Sequence, residues 1–298
     1  MTKKQKIKIA IASGKGGVGK SMLTSALAVL FAQKKKTIAL DCDVDAPNLA
    51  IWLAQTKDWQ KIIPISVSSK PVIDYRKCNG CGLCAEKCRF GAIKMINKRP
   101  VINSFLCEGC GLCEIICPQK AIKLKSVRSG EIRIKKTKYD FWLISGHLFP
   151  GETGSGKIVD KIKQEAEQFQ YEIMLIDSAP GTGCPVISAL KDTDFVLLVT
   201  EPTPSGLTDL KKTLKIVKHF QIKYGVVINK WDINKSLSRI IKKSFARTFL
   251  GMLSYNKEVL KVVSYLIPIM ETDLKIKKEI GQIFDKLDYF IKKQYGKT

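Results

Sequence analysis

The chain has 298 residues, 45% hydrophobic and 26% charged, the balance of a soluble globular protein rather than a disordered or membrane-embedded one. No apolar run approaches the roughly 20 residues of a transmembrane helix, and the opening MTKKQKIKIAIASGKGG lacks the apolar core of a signal peptide. The net charge of +24 suits an acidic partner, nucleic acid or an anionic membrane. The 51 basic residues are overwhelmingly Lys, whereas Arg is the residue favoured for specific phosphate recognition, so the charge reads first as a lysine-rich surface.

A cytoplasmic chain is therefore expected, and its ten cysteines are expected to be metal ligands or reactive thiols rather than disulfides.

Residues 6–33, KIKIAIASGKGGVGKSMLTSALAVLFAQ, predict an apolar strand, a glycine loop and a helix. Gly14-x4-Gly19-Lys20-Ser21 fits the phosphate-binding P-loop in the strand–loop–helix context that gives the motif its meaning. Backbone amides of Gly14, Gly16, Gly17, Val18 and Gly19, with the helix start through Met22, are expected to cradle phosphates. Lys20 neutralises the outer phosphates and Ser21 offers an oxygen to Mg²⁺. Next, ALDCDVDAPNL (39–49) is an apolar strand ending in Asp41-x-Asp43, with Asn48 following.

In the middle of the chain, Cys78, Cys81, Cys84 and Cys88 recur 29 positions on as Cys107, Cys110, Cys113 and Cys117. C-x2-C-x2-C-x3-C, written twice, is the spacing of a two-cluster bacterial ferredoxin, in which the fourth cysteine of each run serves the other cluster. One [4Fe-4S] cluster is expected on Cys78, Cys81, Cys84 and Cys117, and a second on Cys107, Cys110, Cys113 and Cys88. Zinc is the alternative for C-x2-C pairs; three ligands packed this densely, duplicated, with Pro118 after the last, favour clusters. Arg89 departs from the pattern, standing where proline follows the fourth cysteine.

GETGSGKI (151–158) mimics a second P-loop but ends in Ile158, and is expected to be a helix start that rejoins the inserted segment to its host. YEIMLIDSAPGTG (171–183) delivers Asp177 from an apolar strand into a glycine turn, and YGVVINKWD (224–232) places Asn229 at another strand end. Asn229-Lys230-x-Asp232 also resembles the guanine-reading NKxD of GTPases. Near the C-terminus, Ile280, Ile283, Phe284, Leu287, Phe290 and Ile291 share one helical face. That face suits docking on the protein's own sheet, with membrane anchoring as the alternative.

The fuller string GKGGVGKS, with its extra Lys15, resembles the deviant P-loop of the MinD/ParA/Mrp and nitrogenase iron-protein superfamily. ALDCDVDAPNL resembles that superfamily's switch I, and YEIMLIDSAPGTG its Walker B and switch II. YGVVINKWD resembles the strand end that holds the base, and FLGMLSYNKEVLKVVSYLIPIME (249–271) the terminal strand and helix. The resemblance covers nearly the whole chain and, with the cysteine segment, points to MinD-superfamily ATPases carrying an inserted ferredoxin domain. It implies that Lys15 acts in trans across an ATP-bound homodimer, that Asp43 orients the attacking water, that Asp177 holds Mg²⁺ through water, and that Asn48 and Asn229 contact ATP. The resemblance favours ATP over GTP. Cys42 and Cys184 lie beside the two switches, as buried apolar groups or, for Cys184, a ligand at a dimer interface.

The expected architecture is a doubly wound, mostly parallel α/β P-loop domain (1–69 and 127–298), interrupted by a small α+β ferredoxin-like domain (70–126). The insert falls between switch I (41–49) and switch II (177–183), which suggests that both of its ends are tied to them. The leading function is ATP-gated electron transfer from two [4Fe-4S] clusters to a protein partner, which the positive charge suggests is acidic. Delivery of clusters to an apo-acceptor is the second reading, and a MinD/ParA-like positioning ATPase on membrane or DNA the third.

Overall fold

The computed structural model describes residues 6–295. Strand β1 (Ile7–Ala12) leads into helix α1 (Lys20–Ala32), and β2 (Thr37–Cys42) into the single turn α2 (Leu49–Trp52). After β3 (Lys61–Ile65) come β4 (Ser68–Ile73), α3 (Leu83–Glu86), β5 (Ile93–Ile96), β6 (Arg99–Ile102), α4 (Leu112–Ile115) and β7 (Ile122–Val127). The chain returns through β8 (Gly130–Lys136) and β9 (Trp142–Leu148). It then alternates α5 (Ser155–Ala166), β10 (Ile173–Ser178), α6 (Cys184–Leu190), β11 (Phe195–Thr200), α7 (Pro204–His219) and β12 (Lys223–Asn229). Helix α8 (Lys235–Ser244), β13 (Phe249–Leu253), α9 (Glu258–Ser264) and α10 (Lys275–Tyr295) follow.

The main sheet runs β13-β12-β11-β1-β10-β2-β9-β8-β3. Neighbours from β13 to β9 are parallel, while β8 is antiparallel to both β9 and β3. Parallel strands covered on both faces must be apolar on both, and successive side chains alternate between faces. In β1, Ile9 and Ile11 join the core beneath α1 and α10, whereas Ala10 and Ala12 join the one beneath α5, α6 and α7. Each such fully buried Ile contributes roughly 1.5–3 kcal/mol. Helix α10 buries Ile280, Ile283, Phe284, Leu287 and Ile291 in the first core, with Phe290 packed against it. That apolar face is occupied by the protein's own sheet, and no described helix is long and apolar enough to cross a membrane.

The segment Ser68–Val127 forms two small antiparallel sheets, β4 with β7 and β5 with β6. The repeat in its sequence is also a repeat in space. Ile73 lies opposite Ile122 in one sheet and Ile102 opposite Ile93 in the other. Asp74 N–H donates to the Ala121 carbonyl and Asn103 N–H to the Ala92 carbonyl, both at 2.7 Å. Each of these pairs maps onto its counterpart through the 29-residue spacing, and the repeat starts ahead of the cysteines: Lys70-Pro-Val-Ile returns as Arg99-Pro-Val-Ile. The core of the segment is small, Cys84, Ile93 and Ile122, with Ile73, Ile102, Cys88, Cys113 and Cys117 packed against it.

The expectation that both ends of this segment are tied to the two acidic switch loops is corrected by the fold. The ends emerge from β3 and β8 at the edge of the main sheet. They are held to each other by Ser129, whose Oγ accepts from the amides of Val67 and Ser68 at 3.0 Å. The edge is reached by antiparallel hairpin growth from β9, a connection that needs no crossover helix.

Candidate functional site

β1 lies between β10 and β11 and delivers the glycine loop to the carboxyl edge of the sheet, where open α/β sheets bind ligands. Gly19 caps α1 with φ 90°, a left-handed conformation open to glycine, and a Cβ there would stand 2.4 Å from Asn229 Nδ2. The first amides of α1 have no intrahelical partners and carry the positive end of the helix dipole. Lys20 and Ser21 are buried, as are Val18 and Met22; Gly14 and Gly19 are partly covered, and Lys15, Gly16 and Gly17 are exposed.

Asp177, at the end of β10, lies opposite Asp41 of β2. Thr24 Oγ donates to Asp177 Oδ1 at 3.0 Å, while Oδ2 is buried with no hydrogen-bond partner. Burial pushes the Asp177 carboxyl up to about 6, against the opposing pull of Lys20, Ser21 and Thr24. Asp41 accepts from the amides of Leu49 (2.9 Å) and Asp43 (3.3 Å) and so shapes the turn into α2; burial, then the charge of Asp177, push its pKa up. Asp43 is half-buried, raised by burial and drawn back by Lys20. The Oδ1 of Asn48 is likewise buried and unpaired. Buried, unpaired oxygens are costly, and a hydrated divalent cation beside polyphosphate would offset that cost.

On the other side of the mouth, Asn229 Nδ2 donates to the Val18 carbonyl at 2.8 Å, bracing the glycine loop. Lys230, left-handed at φ 53°, reaches Glu201 at 2.5 Å and the Gly17 carbonyl at 3.5 Å. Asp232 Oδ1 accepts from the Tyr255 amide at 2.8 Å, which ties the loop after β13 to this wall.

The cysteines frame two cavities. Cys78, Cys81, Cys84 and Cys117 line one; Cys88, Cys107, Cys110 and Cys113, with Cys84, line another, and both open to solvent. Among the described residues, no three His, Cys, Asp or Glu side chains converge as ligands of a single metal ion. The thiols surround space instead of meeting at a point. Such a donor set fits a polynuclear iron–sulfur group better than one zinc ion, whose four bonds of about 2.3 Å share one centre. Burial pushes the Cys84 thiol up, and burial with Cys107 pushes Cys113 up to about 11. Gly109 N–H donates to Cys107 Sγ at 3.4 Å and Ala121 N–H to Cys117 Sγ at 3.3 Å, contacts of the kind that tune thiolate ligands.

Cys42 is fully buried in the sheet core, and Cys184 is exposed at the start of α6. Thr24 and Glu201 are site residues that sequence reasoning missed; Asp41 was placed at its strand end but given no role of its own. Thr24 lies one helical turn beyond Ser21, so its face could have been inferred; Glu201 has no motif.

This fold and mouth define a P-loop nucleotide-binding protein of the parallel α/β class. The chain belongs to the CobQ/CobB/MinD/ParA nucleotide-binding domain family, whose model matches residues 9–269. It is 37% identical to the uncharacterized protein MJ0578 of Methanocaldococcus jannaschii, over 96% of this chain and 98% of that protein. It is 24% identical to an iron–sulfur cluster carrier protein of Pyrococcus abyssi, over 99% and 90% of the two chains. Its fold matches the septum site-determining protein MinD of Pyrococcus horikoshii, solved with Mg-ADP, with TM-score 0.62 and 17% identity over 96% and 97% of the chains.

Proposed function

We propose that the chain is an ATP-dependent iron–sulfur protein in which nucleotide binding and hydrolysis gate electron transfer from two [4Fe-4S] clusters to a protein partner. The observation that carries this reading is the pair of thiol-lined pockets, one lined by four cysteines and the other by five with Cys84 common to both, on a member of a nucleotide-binding family. Cys78, Cys81, Cys84 and Cys117 would hold one cluster and Cys88, Cys107, Cys110 and Cys113 the other, in a ferredoxin-like insert spanning about residues 70–126. Bound clusters would supply one-electron redox chemistry.

At the mouth, Ser21 and the unpaired oxygen of Asp177 would hold Mg²⁺, the latter through water. Lys20 and the loop amides bind the phosphates, and Asp43 orients the attacking water. Lys15, exposed on the loop, completes the site of a second copy in an ATP-bound homodimer, supplying charge to the transferring phosphoryl group as an arginine finger does. Asn48 and Asn229 face the nucleotide; the bond of Asp232 to the Tyr255 amide supports ATP over GTP. The segment 70–126 holds 11 Lys/Arg against 4 Asp/Glu, which suits an acidic redox partner.

A second reading, delivery of clusters to an apo-acceptor, draws on the likeness to the Pyrococcus carrier protein. One experiment separates them. Anaerobically purified protein is assayed for iron, acid-labile sulfide and zinc, then titrated by EPR with and without a non-hydrolysable ATP analogue, and incubated with an apo-acceptor. About eight irons and eight sulfides per chain, retained beside the acceptor and shifted in potential by nucleotide, are expected. Loss of the clusters to the acceptor selects the carrier reading, and zinc without sulfide ends both.

A further inference from the structure

The main domain and the cysteine segment meet at Gly151–Lys157, the turn into α5 together with the first residues of that helix, the stretch that imitates a second P-loop. On the nucleotide side, Leu148 N–H, just ahead of the turn, donates to the Val44 carbonyl at 2.8 Å, next to Asp43. Gly156 packs so tightly on α6 that a Cβ there would lie 3.2 Å from Cys184 Cβ, just past the Asp177 loop. On the cysteine side, Glu152 accepts from Ser68 Oγ at 2.8 Å, and Lys157 Nζ donates to the Val67 carbonyl at 3.3 Å. The Phe105 ring lies over Gly151, 2.5 Å from where a Cβ would stand.

Lys70 closes this joint. Its side chain is buried, and its Nζ donates to three carbonyls: Ser104 at 2.9 Å, Cys107 at 2.6 Å and Gly151 at 3.0 Å. These three bonds fill all three ammonium donors, and Glu152 lies 3.8 Å away. Two of the carbonyls belong to the loop that presents Cys107, and the third to the turn. The internal repeat supplies the control. The counterpart of Lys70 is Arg99, which is exposed and rests 5.8 Å from the centroid of the Tyr75 ring. Near-identical cysteine loops are therefore held differently: the second is pinned to the main domain, and the first is not.

We propose that Lys70 is a positioning residue that couples the Cys107–Cys113 loop to the nucleotide mouth through the Gly151–Lys157 stretch. Nucleotide then alters the surroundings of the Cys88, Cys107, Cys110 and Cys113 centre and leaves those of the Cys78, Cys81, Cys84 and Cys117 centre unchanged. The proposal rests on the reading of two clusters given above.

The test is hydrogen–deuterium exchange on the anaerobic, cluster-loaded chain, with and without a non-hydrolysable Mg·ATP analogue, after iron, sulfide and zinc have been measured in each sample. In the wild type, nucleotide should slow exchange in residues 104–111 at least about threefold and leave 75–82 unchanged. Lys70→Met should raise exchange in 104–111 on the order of tenfold and abolish the nucleotide response, with metal content intact. Arg99→Met should do neither. Should Lys70→Met fail to fold, Phe105→Ala, at a site that is 72% exposed, decides the matter: it should weaken the same response. By EPR, the nucleotide shift should fall on one of two cluster signals and vanish in Lys70→Met. Equal nucleotide responses in the two loops, or an unaltered response in the Lys70 and Phe105 variants, would overturn the proposal. Zinc without sulfide would instead end the cluster reading, while the exchange comparison still judges Lys70.

Discussion

At the nucleotide mouth, Lys20, Asp41 and Asp177 are buried at the edge of a nine-stranded sheet, held by strands whose apolar residues fill two cores. In Ser68–Val127 the corresponding support is Cys84, Ile93 and Ile122, with a few partly covered neighbours. The mouth is complete as a scaffold before a ligand arrives, and the unpaired Oδ2 of Asp177 is held in place by Thr24 and by packing elsewhere. The cysteine segment has the opposite balance: beside that small core lie two thiol-lined pockets, where the two proposed clusters would bind. Small domains without enough core depend on metals or cross-links for stability, so the two regions should respond differently to loss of their ligands.

The largest effect that probes this contrast is expected from removing the iron of the proposed clusters. Treating the protein anaerobically with a chelator should raise amide exchange across Ser68–Val127 on the order of a hundredfold, with β1, β10 and β11 keeping their protection. Comparable loss of protection in those central strands would mean that the two regions fold as one cooperative unit.

Next comes the reverse perturbation. Lys20→Ala should weaken Mg·ATP binding on the order of a hundredfold, roughly 3 kcal/mol, because a charge-assisted contact is lost, with iron and sulfide unchanged. Lys15→Ala should spare most binding and reduce hydrolysis and nucleotide-dependent dimerisation. Calorimetry, phosphate release and analytical ultracentrifugation read these out. Full hydrolysis in Lys15→Ala would remove its role in trans.

The smallest effect separates the fold of the mouth from its chemistry. A folded-state pKa of about 6 for Asp177, above the usual 3.8, means that the native state binds more protons than the unfolded chain between those values. Stability from this group therefore falls as pH rises through that window. His147, pushed down to about 4 by burial, works in the opposite direction over an overlapping range, so the informative quantity is the difference between wild type and Asp177→Asn. Without nucleotide, Asp177→Asn should be more stable than wild type at pH 7.5, by a gap that shrinks by about 1.4 kcal/mol toward pH 5. Mg·nucleotide should narrow it at pH 7.5, since bound cation favours the carboxylate. Denaturant melts at the two pH values decide it; a gap that ignores pH would show that burial does not hold the Asp177 carboxyl above its usual range.

Much of this molecule was legible in short stretches of the chain. Gly14 to Ser21, the strand ends at Asp41, Asp177 and Asn229, the helical face from Ile280 to Ile291 and the duplicated cysteine spacing are local patterns. In each, a backbone period or a tight turn decides which residues stand together. Tertiary structure alone decided three things. It put the cysteine segment at a sheet edge built by β8 and β3, which have no motif of their own. It brought Thr24 to Asp177, 153 positions apart. It also made two repeat positions unlike: Lys70 is buried against Gly151, while Arg99 faces solvent. The repeat makes the two cysteine loops alike in sequence, but among the described residues Lys70 bonds the second of them to Gly151 while its counterpart Arg99 is exposed, an asymmetry that arises from contacts between residues far apart in the chain.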